Sequence, residues 1–149
     1  MRRNALCNSS IVIALERITM PNCREAIASE QTPPPAGSYS VAMRAGDLVF
    51  LSGQTPRDRD GVRHGDKPFE TQARMAMDNL EAAANAAGLS LKSAVKVNVF
   101  LRNPADAKAF DAIYAPYVGA PAPARTLTQS NLPGFDIEID AVLLHECAR

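Results

Sequence analysis

The chain has 149 residues, enough for one domain with an apolar core and too few for two domains of the usual size. Its 16 basic and 16 acidic residues cancel, and no cluster of basic residues indicates a surface for nucleic acid. No apolar run approaches the roughly 20 residues that a membrane span needs. We therefore expect the partners to be small molecules or copies of the same chain, with no nucleic acid and no membrane.

Cysteine and histidine residues are few and scattered. Cys7, Cys23 and Cys147 are odd in number and lie near the two ends of the chain, so they predict no disulfide framework. His64 and His145 lack the paired spacing of a zinc site. We expect no bound metal.

The start of the chain differs from the rest. A mildly apolar stretch follows two arginines and ends at Glu16 without a clean cleavage site, which supports a signal peptide only weakly. We interpret residues 1–32 as an N-terminal extension, with Met20 as an alternative start. The domain is predicted to span residues 33–149 of a cytoplasmic protein.

The spacing of apolar residues along the first half of the domain changes from a strand-like to a helical pattern. Residues 39–44 and 47–52 are strand-like runs separated by a short turn at Gly46, and they predict a hairpin. A charged loop follows. From Phe69 onward, apolar residues recur every three or four positions, which predicts a helix that Gly88 terminates.

The second half of the domain repeats this change. Alternation over residues 95–101 predicts a strand with one buried face. Asn-Pro at residues 103–104 suits the start of a second helix, which Gly119 ends. Two more strands are predicted at residues 125–129 and 135–143.

The predicted order is β-β-α-β-α-β-β. A mixed sheet with two helices on one face is a two-layer α+β domain. The opposite face of this sheet would be exposed in a monomer, and copies of the same chain usually cover such a face. We therefore expect a closed homo-oligomer.

The last predicted strand has the most informative polar pattern. Because side chains alternate along a strand, Asp136, Glu138 and Asp140 are predicted to share one face. The face is either solvated or largely buried, and in the second case its carboxylates need a partner. Arg125 on the preceding strand is a candidate, either as a structural ion-pair partner or as a bidentate ligand for a substrate carboxylate.

The second predicted strand ends in Ser52, Gly53 and Gln54. Gly53 either lets a ligand approach the backbone closely or lets the chain turn. No phosphate-binding loop and no nucleophile-elbow motif is present in the sequence.

Three separated segments carry a recognisable pattern: residues 36–40 with 44–56, Pro-Ala-Arg-Thr at residues 123–126, and Ile-Glu-Ile-Asp-Ala at residues 137–141. Together they resemble the opening, the PAR[ST] motif and the closing IEIEA strand of the Rid family. These proteins are reactive-intermediate imine and enamine deaminases, also called the YjgF family. The resemblance extends from about residue 33 to Leu144.

The resemblance implies a chorismate-mutase-like homotrimer with ligand sites in the clefts between subunits, and it implies no metal or organic cofactor. By motif match, Arg125 binds the substrate carboxylate and Glu138 holds the attacking water. The remaining pocket residues implied by the resemblance are Tyr39, Ser52, Gly53 and the backbone of Leu127.

The implied reaction converts small 2-imino or enamino acids, such as 2-iminopropanoate and 2-iminobutanoate, to 2-oxo acids and ammonia. One alternative is a non-catalytic trimer that binds 2-oxo acids in a regulatory role. A second is an endoribonuclease, which the balanced charge and the lack of a paired histidine site disfavour.

Two departures from the family pattern are Leu127, where cysteine is common, and Asp111, where asparagine is frequent. Asp111 adds a negative charge that bears on substrate preference.

Overall fold

A computed structural model describes residues 24–145, so the three cysteines lie outside the described residues. Within that range the chain forms six strands and two α-helices. They are β1 (Arg24–Ile27), β2 (Ala42–Ala45), β3 (Leu48–Gln54), α1 (Phe69–Ala86), β4 (Ala94–Leu101), α2 (Ala107–Tyr114), β5 (Ala124–Gln129) and β6 (Ile137–Leu144). Short 3-10 helices precede β4 and α2.

The strands form one mixed sheet in the order β1-β2-β3-β6-β4-β5. Neighbours run antiparallel, except that β4 and β5 are parallel. The strand that comes last in the chain, β6, therefore lies in the interior of the sheet between β3 and β4. The helices pack together over the buried side of these strands, and the predicted two-layer α+β architecture is confirmed.

Helix α1 confirms the predicted apolar stripe. Ala76, Met77, Leu80 and Ala83 are fully buried against the sheet. The helix ends where Gly88 adopts a positive φ of 76°, a conformation that costs glycine little because it has no Cβ. No helix within residues 24–145 combines the length and apolar character needed to cross a membrane.

The sheet begins earlier in the chain than the sequence indicated. Strand β1 was not predicted, and it lies inside the segment, residues 1–32, that we interpreted as an extension. It pairs with β2 at the edge of the sheet, where three of its four residues are exposed. An edge strand of this kind has no alternating apolar pattern to reveal it. Helix α2 is also shorter than predicted and ends at Tyr114.

A buried amide fixes the point at which β6 enters the sheet. The side chain of Gln72 on α1 is fully buried. Its Nε2 donates to Oδ2 of Asp136 at 2.7 Å and to the carbonyl oxygen of Lys67 at 2.7 Å, and its Oε1 accepts from the backbone N–H of Asp136 at 2.9 Å. The two-way contact with Asp136 holds the residue immediately before β6 against α1.

Candidate active site

Glu138 lies on the face of the sheet that carries no helix. It is the register partner of Phe100 on β4, while its neighbours Ile137 and Ile139 are fully buried on the helix side. The predicted alternation of β6 is confirmed, and it places the Glu138 carboxylate on the open face.

The Glu138 side chain rests against Gly53 of β3, where the pairing of β3 with β6 is interrupted by a shift of register. A Cβ built on Gly53 would overlap Oε1 of Glu138. A larger residue at position 53 would therefore displace the Glu138 carboxyl group from its present position. The sequence left two explanations for Gly53 open, a closely approaching ligand and a turn of the chain. The close approach of the Glu138 side chain is a third explanation.

A cavity of about 290 Å³ opens beside this contact, and we call it the Glu138 cavity. Tyr39 is 47% exposed at its wall, and the Tyr39 hydroxyl accepts from the backbone N–H of Ala36 at 2.9 Å. The Ser52 hydroxyl donates to the carbonyl oxygen of Ser40 at 2.6 Å. Since that bond uses its single proton, Ser52 can offer only its oxygen, as an acceptor, to a ligand.

The charge state of Glu138 is set by its surroundings. Burial raises the pKa of the Glu138 carboxyl above its ordinary value, the positive charge of Arg63 opposes this rise, and the negative charge of Asp140 adds to it. A raised pKa makes the Glu138 carboxylate a stronger base than an ordinary glutamate, which suits a group that accepts and returns a proton.

Arg125 lies on β5, in register with the buried Val97 and therefore on the helix side of the sheet. Its Nη1 donates to Oδ1 of Asp111 at 2.7 Å, and its guanidinium lies 4.8 Å from the ring centre of Tyr114. These three side chains line a cleft of about 510 Å³, which we call the Arg125 cleft.

The expected pairing of Arg125 with the carboxylates of the last strand is wrong within one chain. Strand β4 separates β5 from β6, and Arg125 and Glu138 lie on opposite faces. Asp140 instead accepts from Nδ2 of Asn98 at 2.8 Å. Asp136 precedes the strand and bonds to Gln72, so the prediction that it shares a face with Glu138 is also wrong.

Within a single chain, the residues implied by the resemblance thus lie in two separate places. Tyr39, Ser52, Gly53 and Glu138 line the Glu138 cavity, whereas Arg125 lies in its own cleft with Leu127 half-buried on the same strand. Sequence reasoning missed Arg63, which lines the Glu138 cavity from the charged loop. Sequence reasoning identified Asp111 but not its ion pair with Arg125, because no spacing along the chain relates α2 to β5.

The fold and the cavity define the chain as a small two-layer α+β protein with an ionisable carboxyl group beside a ligand-sized cavity. The family described as Endoribonuclease L-PSP matches residues 29–144. The chain therefore belongs to that family, which is also known as the YjgF, RutC or Rid family.

Individual relatives agree with this assignment. A RutC family protein of Pyrococcus horikoshii is 36% identical over 83% of this chain and 99% of its own length. A protein of the mite Dermatophagoides farinae named 2-iminobutanoate/2-iminopropanoate deaminase is 32% identical over 80% of this chain and 95% of its own. The crystal structure of RidA from an Antarctic Psychrobacter bacterium superposes with a TM-score of 0.74 at 31% identity, covering 80% of this chain and 98% of that one. Such neighbours confirm the chorismate-mutase-like fold class.

The raised pKa of Glu138 predicts a pH-dependent effect on stability. Ionisation of this carboxyl group opposes folding, and the penalty disappears when the group is protonated in acid. We expect Glu138→Gln to raise the melting temperature at pH 8, with a gain that diminishes as the pH is lowered toward about 4, near the pKa of an ordinary glutamate. Thermal melts of both proteins across this range would measure it. A gain of equal size at every pH would contradict the prediction.

Proposed function

We propose that the protein hydrolyses small 2-imino and enamino acids to 2-oxo acids and ammonia, acting as a cytoplasmic homotrimer. The observation that carries the proposal is the Glu138 carboxyl group, whose pKa is raised and which lines a cavity of about 290 Å³. That cavity is close in size to the pockets that bind small metabolites. Relatives named as deaminases at 32% and 34% identity support the same reaction class.

In this proposal the Glu138 cavity and the Arg125 cleft are two half-sites, and each complete site combines one of each from neighbouring subunits. The open face of the sheet exposes Phe50 and Leu144, and Val95 is exposed at the start of β4. Apolar side chains in such positions favour a contact between copies of the chain. A ring of three copies would use two different surfaces of each subunit at every contact. The Glu138 cavity of one copy would then receive Arg125 from the next, and each complete site would need both.

The substrate is electrophilic before it binds. A 2-iminium acid has a carbon that already attracts water, so the protein has to orient the two reactants and move protons. The planar guanidinium of Arg125 matches the two oxygens of the substrate carboxylate. The Ser52 oxygen is free to accept from the iminium N–H, because its own proton is bonded to Ser40.

Glu138 manages the protons in both halves of the reaction. As a carboxylate it takes a proton from the attacking water while the new C–O bond forms. It returns that proton to the nitrogen of the adduct. As the C–N bond breaks, Glu138 takes the proton of the hydroxyl group, which becomes the carbonyl group, and passes that proton to the departing ammonia. The imino acid with its C=NH₂⁺ group and one water become the 2-oxo acid and NH₄⁺, so atoms and charge balance. An enamine enters by protonation at carbon. Burial raises the pKa of Glu138, which makes its carboxylate a stronger base for the first transfer.

Arg125→Ala and Glu138→Gln should fail in different ways. Arg125→Ala removes two charge-assisted hydrogen bonds, and we expect a loss of about a hundredfold or more in kcat/KM together with loss of 2-oxobutanoate binding. Glu138→Gln preserves shape but cannot transfer the proton, so turnover should fall while 2-oxobutanoate still binds. Imine hydrolysis and calorimetric titration separate the two effects. If Glu138→Gln turns over at the wild-type rate, the protein is better described as a 2-oxo acid-binding protein with no catalytic use of Glu138.

The same two variants test whether the site is shared. When both are co-expressed in equal amounts and assemble at random, the whole population of trimers should regain about a quarter of wild-type activity, since each site needs an intact Glu138 from one subunit and an intact Arg125 from its neighbour. Each variant alone should stay inactive. Absence of any recovery in mixed trimers would contradict a site that is shared between neighbouring subunits.

Asp111 should weaken substrate binding by occupying Arg125. Its carboxylate already bonds to the guanidinium, and its side chain is 60% exposed. Exposed ion pairs are worth up to about 1 kcal/mol, so Asp111→Asn should tighten 2-oxobutanoate binding by about two- to fivefold. Glu25→Gln on β1, at the opposite edge of the sheet, is the matched control and should change nothing. Weaker binding in Asp111→Asn would show that Asp111 positions Arg125.

A further inference from the structure

The Glu138 cavity contains positive charge that the proposed reaction does not use. Arg57 and Arg63 both line it. The Arg57 guanidinium is already engaged, because it donates to the carbonyl oxygens of Gly61 at 3.0 Å and Pro34 at 3.1 Å. Arg63 forms no ion pair with any residue from 24 to 145. Arg57 is likewise not neutralised by a carboxylate within these residues, but Arg63 differs from it because its guanidinium donates to no carbonyl oxygen there, so the N–H groups of Arg63 are free for a ligand.

Arg63 is held in place by the loop that carries it. The backbones of Arg57 and Arg63 form an isolated β-bridge. Within the loop Asp58 Oδ1 accepts from the backbone N–H of Val62 at 2.9 Å, and Asp58 Oδ2 lies 2.8 Å from Nε2 of His64. The hydrogen bond from His64 lowers the pKa of Asp58, so its carboxylate stays charged. Both neighbours of Arg63 in the chain are thereby tied to one carboxylate.

The side chain of Arg63 is supported as well. Its guanidinium lies 4.3 Å from the ring centre of Phe135, which is only 3% exposed. Stacking on a buried aromatic ring limits the rotamers of a long side chain and leaves its N–H groups available. Asn79 on α1 donates to the carbonyl oxygens of Thr55 and Arg57 and fixes the base of the loop.

Charge and position together indicate what this arginine binds. Arg63 lines the same cavity as Glu138 and influences it electrostatically, yet the two side chains do not form an ion pair. Space for a ligand group therefore remains near a fixed guanidinium, whose planar fork fits a carboxylate best. In the proposed reaction the 2-carboxylate is bound by Arg125, so a second carboxylate would have to come from the substrate side chain.

We infer that Arg63 forms a subsite for a second carboxylate, and that the preferred substrates are 2-imino acids with an acidic side chain. The inference rests on the proposed function for the identity of the reacting group. The binding preference itself does not depend on the proposed function, because a dicarboxylic 2-oxo acid would bind to the same two arginines, Arg63 and Arg125. Arg63 is thus a specificity-determining residue.

Calorimetric titration with 2-oxoglutarate and 2-oxobutanoate tests the subsite directly. The wild-type protein should bind 2-oxoglutarate more tightly by about ten- to hundredfold, the effect expected of one charge-assisted contact. Arg63→Gln should remove this preference by weakening 2-oxoglutarate far more than 2-oxobutanoate. Arg63→Lys should retain part of it, because the charge remains while the planar fork is lost. Arg59→Gln, the same change at an exposed arginine of the same loop that lines a different pocket, should retain all of it.

Three results would overturn the subsite: equal affinity of the wild-type protein for the two acids, an unchanged preference in Arg63→Gln, or equal weakening of both acids in that variant. The last result would mean that Arg63 supports the loop or meets an acidic group of a neighbouring copy.

Hydrolysis of imines generated from glutamate and from 2-aminobutanoate separates the proposed subsite from the proposed deaminase function. If neither imine is hydrolysed but the binding preference persists, the deaminase function fails and the subsite stands. If only the monocarboxylic imine is hydrolysed and no preference exists, the subsite alone fails.

Discussion

The interior position of β6 in the sheet is the constraint on which the rest of the molecule depends. Because side chains alternate along a strand, the residues of β6 that fill the core dictate which residues reach the open face. Ile137 and Ile139 are fully buried on the helix side, and this fixes Glu138 opposite them. A slip of one residue would bury the carboxylates and expose the core. The contact between Gln72 and Asp136 sets the register at the point where the strand begins.

The features that follow from periodicity could be predicted from sequence, and those that follow from contacts between distant segments could not. The stripe of α1 and the alternation of β6 report burial directly, so both were predicted. Strand β1 has no such pattern because most of its surface is exposed. The close contact of Gly53 is with Glu138, which lies 85 positions later in the chain. The family resemblance supplied the residue types of the candidate site, but the division between the Glu138 cavity and the Arg125 cleft required the topology.

That division follows from the order of the strands. The Glu138 cavity is built by β3, β6 and the loop after β3, whereas Arg125 lies on the edge strand β5 beyond β4. Groups on opposite faces and two strands apart cannot act on one small molecule within a single chain. In the proposed assembly, chemistry and oligomerisation would therefore depend on the same surfaces. A change that loosens the contact between subunits would also dismantle the site.

In the proposed site, the ion pair between Arg125 and Asp111 would also act as a threshold for ligands. An incoming anion has to displace a carboxylate that is tethered at a high effective concentration. Weakly held anions that are abundant in solution, such as chloride or acetate, compete poorly against such a tethered group. A 2-imino or 2-oxo acid would displace Asp111 more readily in the proposed site, because it makes further contacts in the cavity. The exchange of one carboxylate for another also means that the guanidinium is never stripped of its counter-charge, so the site would fill and empty without a large electrostatic penalty at either step.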